Sequence, residues 1–397
     1  MVSGAWRAAA SRNPTRRLPR NSKRRGTDMK LPGLLAALAA ALLSAGGALA
    51  EDDAKVIRIG FPGVGADSRP YGHSTVIPYA RAREILEKEF ASDGIEVIWT
   101  FFRGAGPALN EATAAGQLDF FLLGDLPAIV GRANGLKHRF IFATGRNDPI
   151  YLAVPEDSDI ETVEDVKGRK VALFKGTNLQ NATDRILERH GLTERDVRFV
   201  NLDANSAVAA LTSGNVDAVF GGQEYLALAE KGVVKIAYTT KGDDPTLGRN
   251  SSFLVTDAFA EANPGLTQRV VTTLIEATAL ITKDENRDEA FDAWTLSGFP
   301  KSTFEANFDG VRLSQILNPL IDDYVVARYT EQVAAAKAYG LLRNDVDVDG
   351  WFDRTYLDVA LKELGLEHFW SRRGANGETI EVGTNDAAAN PTTSTGG

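Results

Sequence analysis

Cysteine is absent from this sequence and histidine is rare, which excludes several kinds of chemistry. Without cysteine there is no disulfide framework, thiolate metal site, cysteine nucleophile or lipid-modified cysteine anchor. The four histidines are His73, His138, His190 and His368. No two of them have metal-ligand spacing, which argues against a histidine-based zinc site. A Gly-x-Ser-x-Gly motif and a Walker loop are also missing, so hydrolase and NTPase functions are disfavoured.

One acidic segment has part of a calcium-binding pattern. Asp345, Asp347 and Asp349 occupy positions 1, 3 and 5 of such a loop, and Gly350 occupies position 6. Position 12 is Tyr356, so the bidentate glutamate is missing. We therefore expect no metal ion and no cofactor.

The charge is distributed unevenly along the chain. The net charge is −9 at pH 7, but the first fifty residues contain nine Lys or Arg and a single acid. Residues 51–397 therefore hold 35 basic and 52 acidic residues, a net charge of −17. Binding to nucleic acid or to an anionic membrane requires clustered Lys and Arg. We expect neither as a partner.

The basic N-terminal part is interpreted as a leader followed by a secretory signal peptide. Residues 1–28 are rich in arginine and indicate a disordered leader or a mis-assigned start. Residues 29–50 combine a positive charge, an apolar core at residues 34–43 and a small-x-small cleavage site at residues 48–50. This core is much shorter than the roughly 20 residues that span a membrane. We therefore expect cleavage before Glu51 and export to the periplasm, rather than a membrane anchor.

Strand-like and helix-like segments alternate along the body of the chain. Residues 56–61 read as a strand that ends in a Pro-Gly loop, residues 79–90 have apolar residues at helical spacing, and residues 95–99 form the next strand. The same order starts again after residue 151. Alternation of this kind predicts parallel α/β layers covered by helices, here in two successive units with a ligand cleft between them.

The remaining body, from residue 255 to 370, has mostly helical apolar spacing and is predicted to pad and tether the two lobes. The predicted boundaries are lobe 1 at residues 54–148, lobe 2 at residues 149–240, a return to lobe 1 with C-terminal helices at residues 241–372, and a disordered tail at residues 373–397.

Short motifs occur in a fixed order between about residues 55 and 370. They are GAGP at 104–107, AGQLDF at 115–120, GDLPA at 124–128, VEDVKGRKV at 163–171, KGTN at 175–178, SGNVDA at 213–218 and AYGLL at 338–342. Together they resemble the substrate-binding proteins of ABC importers, in the subgroup that serves nitrate, aliphatic sulfonates and taurine. The resemblance implies a two-lobed type II periplasmic binding fold that closes on a small ligand and delivers it to a membrane permease and its ATPase subunit.

Helix starts after glycine turns are the best candidates for ligand contacts, because they offer free N–H groups and a partial positive charge. Thr177 and Asn178 lie at such a start, where they can contact a ligand or only cap the helix. Phe61 is placed by the resemblance to line the cleft, although a lone aromatic is otherwise a core residue. The candidates are Phe61, Gly104, Ala105, Gly106, Pro107, Gly124, Asp125, Lys175, Thr177, Asn178, Gln223 and Glu224.

The charged candidates leave the charge of the ligand open. Lys175 can pair with an anion or remain solvated. Asp125 and Glu224 would repel an anion and favour a ligand that also carries an amine or another donor. The segment 221–225 departs from the aromatic-Asp-Pro turn that relatives often have, which leaves the ligand undefined.

The sequence therefore predicts a monomeric periplasmic solute-binding protein of an ABC importer. Its ligand is predicted to be a small sulfonate-like or related anionic or zwitterionic compound. The alternative is an enzyme of thiamine-pyrimidine metabolism on the same fold. The absence of cysteine argues against that enzyme, and turnover of a bound ligand would support it.

Overall fold

The structure is a computed structural model that describes residues 54–72 and 74–388. The predicted leader at residues 1–28, the predicted signal peptide at residues 29–50 and His73 lie outside the described residues.

The strands of the described residues form two five-stranded sheets and a small hairpin. They are β1 Val56–Pro62, β2 Glu96–Phe102, β3 Phe120–Gly124, β4 His138–Asp148, β5 Tyr151–Pro155, β6 Lys170–Leu173, β7 Arg198–Asn201, β8 Ala218–Gly221, β9 Val234–Thr239, β10 Arg249–Thr256, β11 Arg372–Arg373 and β12 Thr379–Glu381. The first sheet has the order β2-β1-β3-β10-β4 and the second β7-β6-β8-β5-β9. We call each sheet, with the helices packed on it, the first and the second lobe.

Helices cover both sheets. They are α1 Val76–Ala82, α2 Ile85–Phe90, α3 Ala105–Ala114, α4 Asp125–Ala133, α5 Asn178–Arg189, α6 Ala204–Thr212, α7 Leu226–Glu230, α8 Asp257–Ala262, α9 Pro264–Thr282, α10 Arg287–Trp294, α11 Lys301–Asn307, α12 Leu313–Ile316, α13 Asp323–Ala338, α14 Thr355–Leu364 and α15 Thr384–Ala388. The single helix predicted at residues 79–90 is two helices, because Glu84 lies in the left-handed region with φ 53° and interrupts it.

The sheets are not purely parallel, and this part of the sequence prediction is wrong. β1 pairs in parallel with β2 and β3, and β6 pairs in parallel with β7 and β8. In contrast, β10 is antiparallel to β3 and β4, and β5 is antiparallel to β8 and β9. β10 begins with the polar run Arg249-Asn250-Ser251-Ser252, which hides the strand from a hydropathy pattern.

Two connections join the lobes. β4 ends at Asp148 and β5 begins at Tyr151, while β9 ends at Thr239 and β10 begins at Arg249. The first connection takes two residues, 149–150, and the second takes nine, 240–248. In the second lobe, Leu152 packs in a different hydrophobic cluster from its neighbour Ala153 because successive strand residues face opposite sides of a sheet.

The predicted disordered tail is ordered as far as the structure describes it, up to residue 388. The Asp386 carboxylate accepts a hydrogen bond from Ser314 Oγ at 2.6 Å and pairs with Arg312 at 3.1 Å. β11 and β12 form a hairpin just before it. The composition of the tail indicated disorder, but its polar side chains have specific partners on the body of the chain. Among the described helices, none is both long and apolar enough to cross a membrane.

Candidate ligand-binding site

A cavity of about 130 Å³ lies between the two lobes. It is lined by Val64, Arg103 and Gly124, which follow or end β1, β2 and β3, and by Phe174, Asp203 and Glu224, which follow β6, β7 and β8. Parallel strands place their carboxyl ends at one edge of a sheet, and ligands of open α/β sheets bind outside that edge. This volume suits a small organic ligand.

Four helices begin at this cavity. Ala105 and Gly106 start α3, Gly124 is the N-cap residue of α4, Asn178 starts α5, and Ala204 starts α6, and all line the cavity. The first N–H groups of a helix have no partner inside the helix, and its dipole makes that end partly positive. The convergence of four such ends favours an anionic group in the cavity.

The start of α5 shows how a lining residue can also cap a helix. Thr177 Oγ1 donates to the Phe174 carbonyl at 2.7 Å and accepts the Leu179 N–H at 3.3 Å. Asn178 Nδ2 donates to the Asn250 carbonyl in the first lobe at 3.5 Å. Capping and lining are therefore compatible at Thr177.

Gly124 allows the second lobe to approach the first. A Cβ atom at residue 124 would lie 2.6 Å from Asn178 Nδ2, which is closer than two such atoms can come. Glycine is therefore required where the start of α5 meets the start of α4.

The charged side chains of the cavity largely compensate one another. Arg103 Nη2 lies 3.3 Å from Asp203 Oδ2, across the two lobes. Arg249 forms an ion pair with Asp148, and Glu224 Oε1 accepts the N–H of Gly222 at 3.0 Å. Among the described lining residues there are thus two arginines and three carboxylates. Any net positive potential in the cavity must come from the helix ends.

Part of the cavity wall is apolar. Phe61, Leu122, Ile316 and Leu317 line it, the last two from the C-terminal helical segment. Phe61 is fully buried and its ring centroid lies 5.2 Å from that of Phe101. Phe61 is therefore both a core residue and a lining residue. This surface suits the carbon skeleton of a ligand.

The structure brings seven of the twelve sequence candidates to the cavity wall. They are Phe61, Ala105, Gly106, Gly124, Thr177, Asn178 and Glu224. Gly104 is the N-cap residue of α3 and lies just outside the wall. Pro107 turns toward the second lobe, where a Cβ atom at residue 176 would lie 3.0 Å from Pro107 Cγ.

Three polar candidates have protein partners instead. Asp125 is buried, and its carboxylate accepts the Leu126 N–H at 2.7 Å and the Asn250 N–H at 3.2 Å. Burial raises the pKa of this carboxyl, against the opposing charge of Arg185. Lys175 Nζ pairs with Glu194 at 2.9 Å.

Gln223, the last of these, is buried and joins the lobes. Its Oε1 accepts a hydrogen bond from Ser74 Oγ at 3.2 Å. The partners of these three side chains were not visible in the sequence.

Several lining residues were missed by the sequence reasoning. Arg103 follows β2 directly and Asp203 lies two residues after β7, so the strand ends alone could have indicated them. Arg249 lies at the start of β10, a strand that the hydropathy pattern does not predict. Ile316 and Leu317 come from the distant C-terminal segment, and only the tertiary structure places them here.

Residues 89–287 match the family described as NMT1/THI5 like. The chain belongs to this family. A relative from Escherichia coli (strain K12), provisionally named an aliphatic sulfonates-binding protein, is 32% identical over 233 residues, which cover 58% of this chain and 70% of the relative. The family assignment confirms the resemblance found in the sequence.

Solved structures of NMT1/THI5-like relatives share the fold. One is from Methylobacillus flagellatus KT and is provisionally named a periplasmic sulfonate-binding protein of an ABC transporter. It is 30% identical with a TM-score of 0.68, and the match covers 83% of this chain and 100% of that chain. The alkanesulfonate-binding protein from Xanthomonas axonopodis pv. citri, solved with bound MOPS, is 26% identical with a TM-score of 0.64. This match covers 76% of this chain and 99% of that chain. The predicted two-lobed periplasmic binding fold is thereby confirmed.

Proposed function

We propose that this protein captures a small organosulfonate in the cavity between its lobes and presents it to the permease and ATPase subunit of an ABC importer. The observation that carries the proposal is the convergence of four helix N-termini on a cavity whose charged side chains largely compensate one another. The sulfonate-binding relatives support the same class of ligand.

The proposed ligand has its sulfonate group at the helix ends and its carbon chain on the apolar wall. Three sulfonate oxygens can accept hydrogen bonds from N–H groups at the starts of α3, α5 and α6 and from Asn178 Nδ2. Phe61, Leu122 and Ile316 can cover the chain. A body charge of −17 opposes anion binding, so short-range dipoles have to provide the affinity.

Lobe closure is the proposed mechanism. Arg103–Asp203, Ser74–Gln223 and the bond from Asn205 Nδ2 to the Gly65 carbonyl at 3.3 Å all join the lobes. A ligand that contacts both lobes stabilises this closed arrangement, and the permease recognises it. We propose residues 149–240 as the second moving body and residues 54–148 with 241–372 as the first.

We further propose that the protein acts in the periplasm, as a monomer and without catalysis. The signal peptide at residues 29–50 would direct its export. Expression of the full chain in a Gram-negative host, followed by mass spectrometry of the periplasmic product, tests this directly. Cleavage before Glu51 is expected, and retention of residues 29–50 would contradict it.

The ligand class is tested by thermal unfolding of that periplasmic product with ethanesulfonate, butanesulfonate, nitrate and the neutral ethyl methyl sulfone. A ligand at about 1,000 times its Kd adds roughly 4 kcal/mol to the free energy of unfolding. We expect a rise in Tm with the sulfonates and none with the sulfone. Stabilisation by nitrate or the sulfone alone would refute the organosulfonate assignment. Chemical change of the recovered ligand would favour the enzyme alternative.

A further inference from the structure

One part of the cavity wall, formed by Arg249 and Glu224, is not needed to hold a sulfonate group. Arg249 starts β10 in the first lobe and Glu224 follows β8 in the second lobe. Both side chains stand over the backbone of Gly222. A Cβ atom at residue 222 would lie 2.8 Å from Glu224 Oε2 and 3.1 Å from Arg249 Nη2. Glycine at this position keeps the space between the two charges open.

Arg249 has hydrogen-bond donors without protein partners. Its side chain is only 7% exposed. Nη2 donates to Asp148 and to the Pro149 carbonyl, the latter at 3.0 Å. Within residues 54–72 and 74–388, Nε and Nη1 donate to no protein group, and Nε is fully buried. Nη1, unlike Nε, is not enclosed by protein, and it lies 3.4 Å from a Cβ atom placed at residue 222. Nη1 is therefore the donor that can reach a ligand group beside Gly222.

Glu224 has an unused hydrogen-bond acceptor that complements the unused donor of Arg249. Its Oε1 accepts the Gly222 N–H at 3.0 Å, but its Oε2 accepts no hydrogen bond from the part of the chain that is described. The ion pair of Arg249 is with Asp148, and no described pair within 4.0 Å joins Arg249 to Glu224. A free donor and a free acceptor therefore stand side by side at the wall, one from each lobe.

The charges around this place select among ligand groups. A second anionic group would be attracted by Arg249 but repelled by Asp148 and Glu224. An ammonium group would pair with Glu224 but would face Arg249 and leave its donors unpaired. A neutral hydroxyl accepts from Arg249 and donates to Glu224 at the same time, as does a primary amide.

We propose that Arg249 and Glu224 form a second polar subsite, which binds a neutral hydroxyl or primary amide group at the end of the ligand opposite its sulfonate. This inference rests on the proposed function, because it assumes that helix ends hold the sulfonate. It makes Arg249 and Glu224 specificity-determining residues, and the two bonds would link the lobes through the ligand.

Calorimetric titration of the periplasmic product with four matched compounds tests the subsite. They are ethanesulfonate, 2-hydroxyethanesulfonate, 2-aminoethanesulfonate and sulfoacetate. We expect the hydroxyl compound to bind at least about 10-fold more tightly than ethanesulfonate, since hydrogen bonds to charged groups are among the stronger ones. Equal affinity of these two compounds would overturn the inference, as would tighter binding of the amino or carboxylate compound.

Two variants test whether the preference for the hydroxyl compound arises at this part of the cavity wall. Glu224→Gln should reduce the preference for the hydroxyl compound to under about 3-fold. The single oxygen of Gln can accept the Gly222 N–H, and its NH2 donor then replaces the free Oε2 acceptor. Gly222→Ala should reduce the preference to the same extent by filling the space, at a φ of −102° that alanine tolerates. Glu156→Gln, an exposed acid of the same lobe, is the matched control and should keep the full preference.

The outcomes separate the two proposals. A full preference in Glu224→Gln and Gly222→Ala would overturn the subsite while leaving the sulfonate function intact. Failure of the wild-type protein to bind any sulfonate would overturn both. Because neither variant removes the Arg249–Asp148 pair, their Tm without ligand should stay close to that of the wild type.

Discussion

Arg103 in the first lobe and Asp203 in the second are joined by an ion pair, with 3.3 Å between Nη2 and Oδ2. Asp203 also caps α6, because its Oδ1 accepts the Ser206 N–H at 3.1 Å. One carboxylate thus connects the start of a cavity helix to the opposite lobe. Arg103 is more than half exposed, so the pair is a solvent-screened contact between the lobes.

Arg103→Gln should weaken ligand binding modestly, without lowering the Tm of the unliganded protein. Exposed ion pairs contribute about 0.2–1 kcal/mol, which corresponds to up to about a 5-fold rise in Kd. The difference from wild type should shrink at high salt. Calorimetry at two salt concentrations measures it, with the exposed Arg195→Gln as control. An unchanged Kd at low salt would contradict the role assigned to this pair.

Asn178→Asp should lower ligand affinity strongly and change protein stability little, because the favourable charge at the start of α5 is offset by loss of the bond from Asn178 Nδ2 to the Asn250 carbonyl. A carboxylate at the first residue of α5 is favourable for the helix, by about 0.3–1 kcal/mol. The same charge lies at the cavity wall and should raise the Kd of ethanesulfonate more than about 10-fold. Asn215→Asp, at an exposed position after α6, should leave the Kd unchanged. A variant that loses stability and affinity together would indicate a purely structural role.

Asp184 on α5 is a buried carboxyl next to a second acid. Burial and the neighbouring Glu194 raise its pKa to about 7, against the opposing charges of Lys175 and Arg185. Neither of its oxygens accepts a hydrogen bond from a described residue. The folded protein therefore holds this proton more tightly than the unfolded chain, whose Asp pKa is about 3.9.

Asp184→Asn should consequently remove a pH-dependent loss of stability. Between about pH 4 and pH 7 the folded wild type binds more protons than the unfolded chain, so its free energy of unfolding falls as pH rises. As pH rises from about 4 to about 8, the free energy of unfolding of the variant should increase by roughly 2–4 kcal/mol relative to that of the wild type. Urea unfolding at both pH values checks this. Asp157→Asn, at an exposed site, should show no such change with pH. If the difference in free energy of unfolding between Asp184→Asn and wild type were the same at both pH values, the raised pKa of Asp184 would be refuted.

Asp322→Ala should be strongly destabilising. Asp322 forms an ion pair with Arg146 at 3.0 Å, and the two side chains are 3% and 2% exposed. Removal of one partner leaves an uncompensated buried charge, which costs about 3–5 kcal/mol. Urea unfolding measures the loss. The neighbouring exposed Asp323→Ala should cost under about 1 kcal/mol, and similar values for both variants would contradict the prediction.

The sequence predicted most elements of the two α/β units because strand and helix periods are local properties of the chain. It also predicted the starts of α3 and α5 as cavity elements, since glycine turns before helices are local too. It did not predict β10, whose first residues are polar, and so missed Arg249. It placed Asp125 and Lys175 at the ligand, although hydrogen bonds and an ion pair turn both toward the protein.

By itself, then, the amino-acid sequence determined the family, the α/β character and the order of the helix starts that carry partial positive charge. The tertiary structure decided which of those starts face one cavity and which side chains reach it. It also decided that Arg249 and Glu224, which are 25 positions apart and lie in different lobes, stand over the same glycine. Local periodicity encodes secondary structure, whereas the direction of a polar side chain depends on partners that only packing brings near.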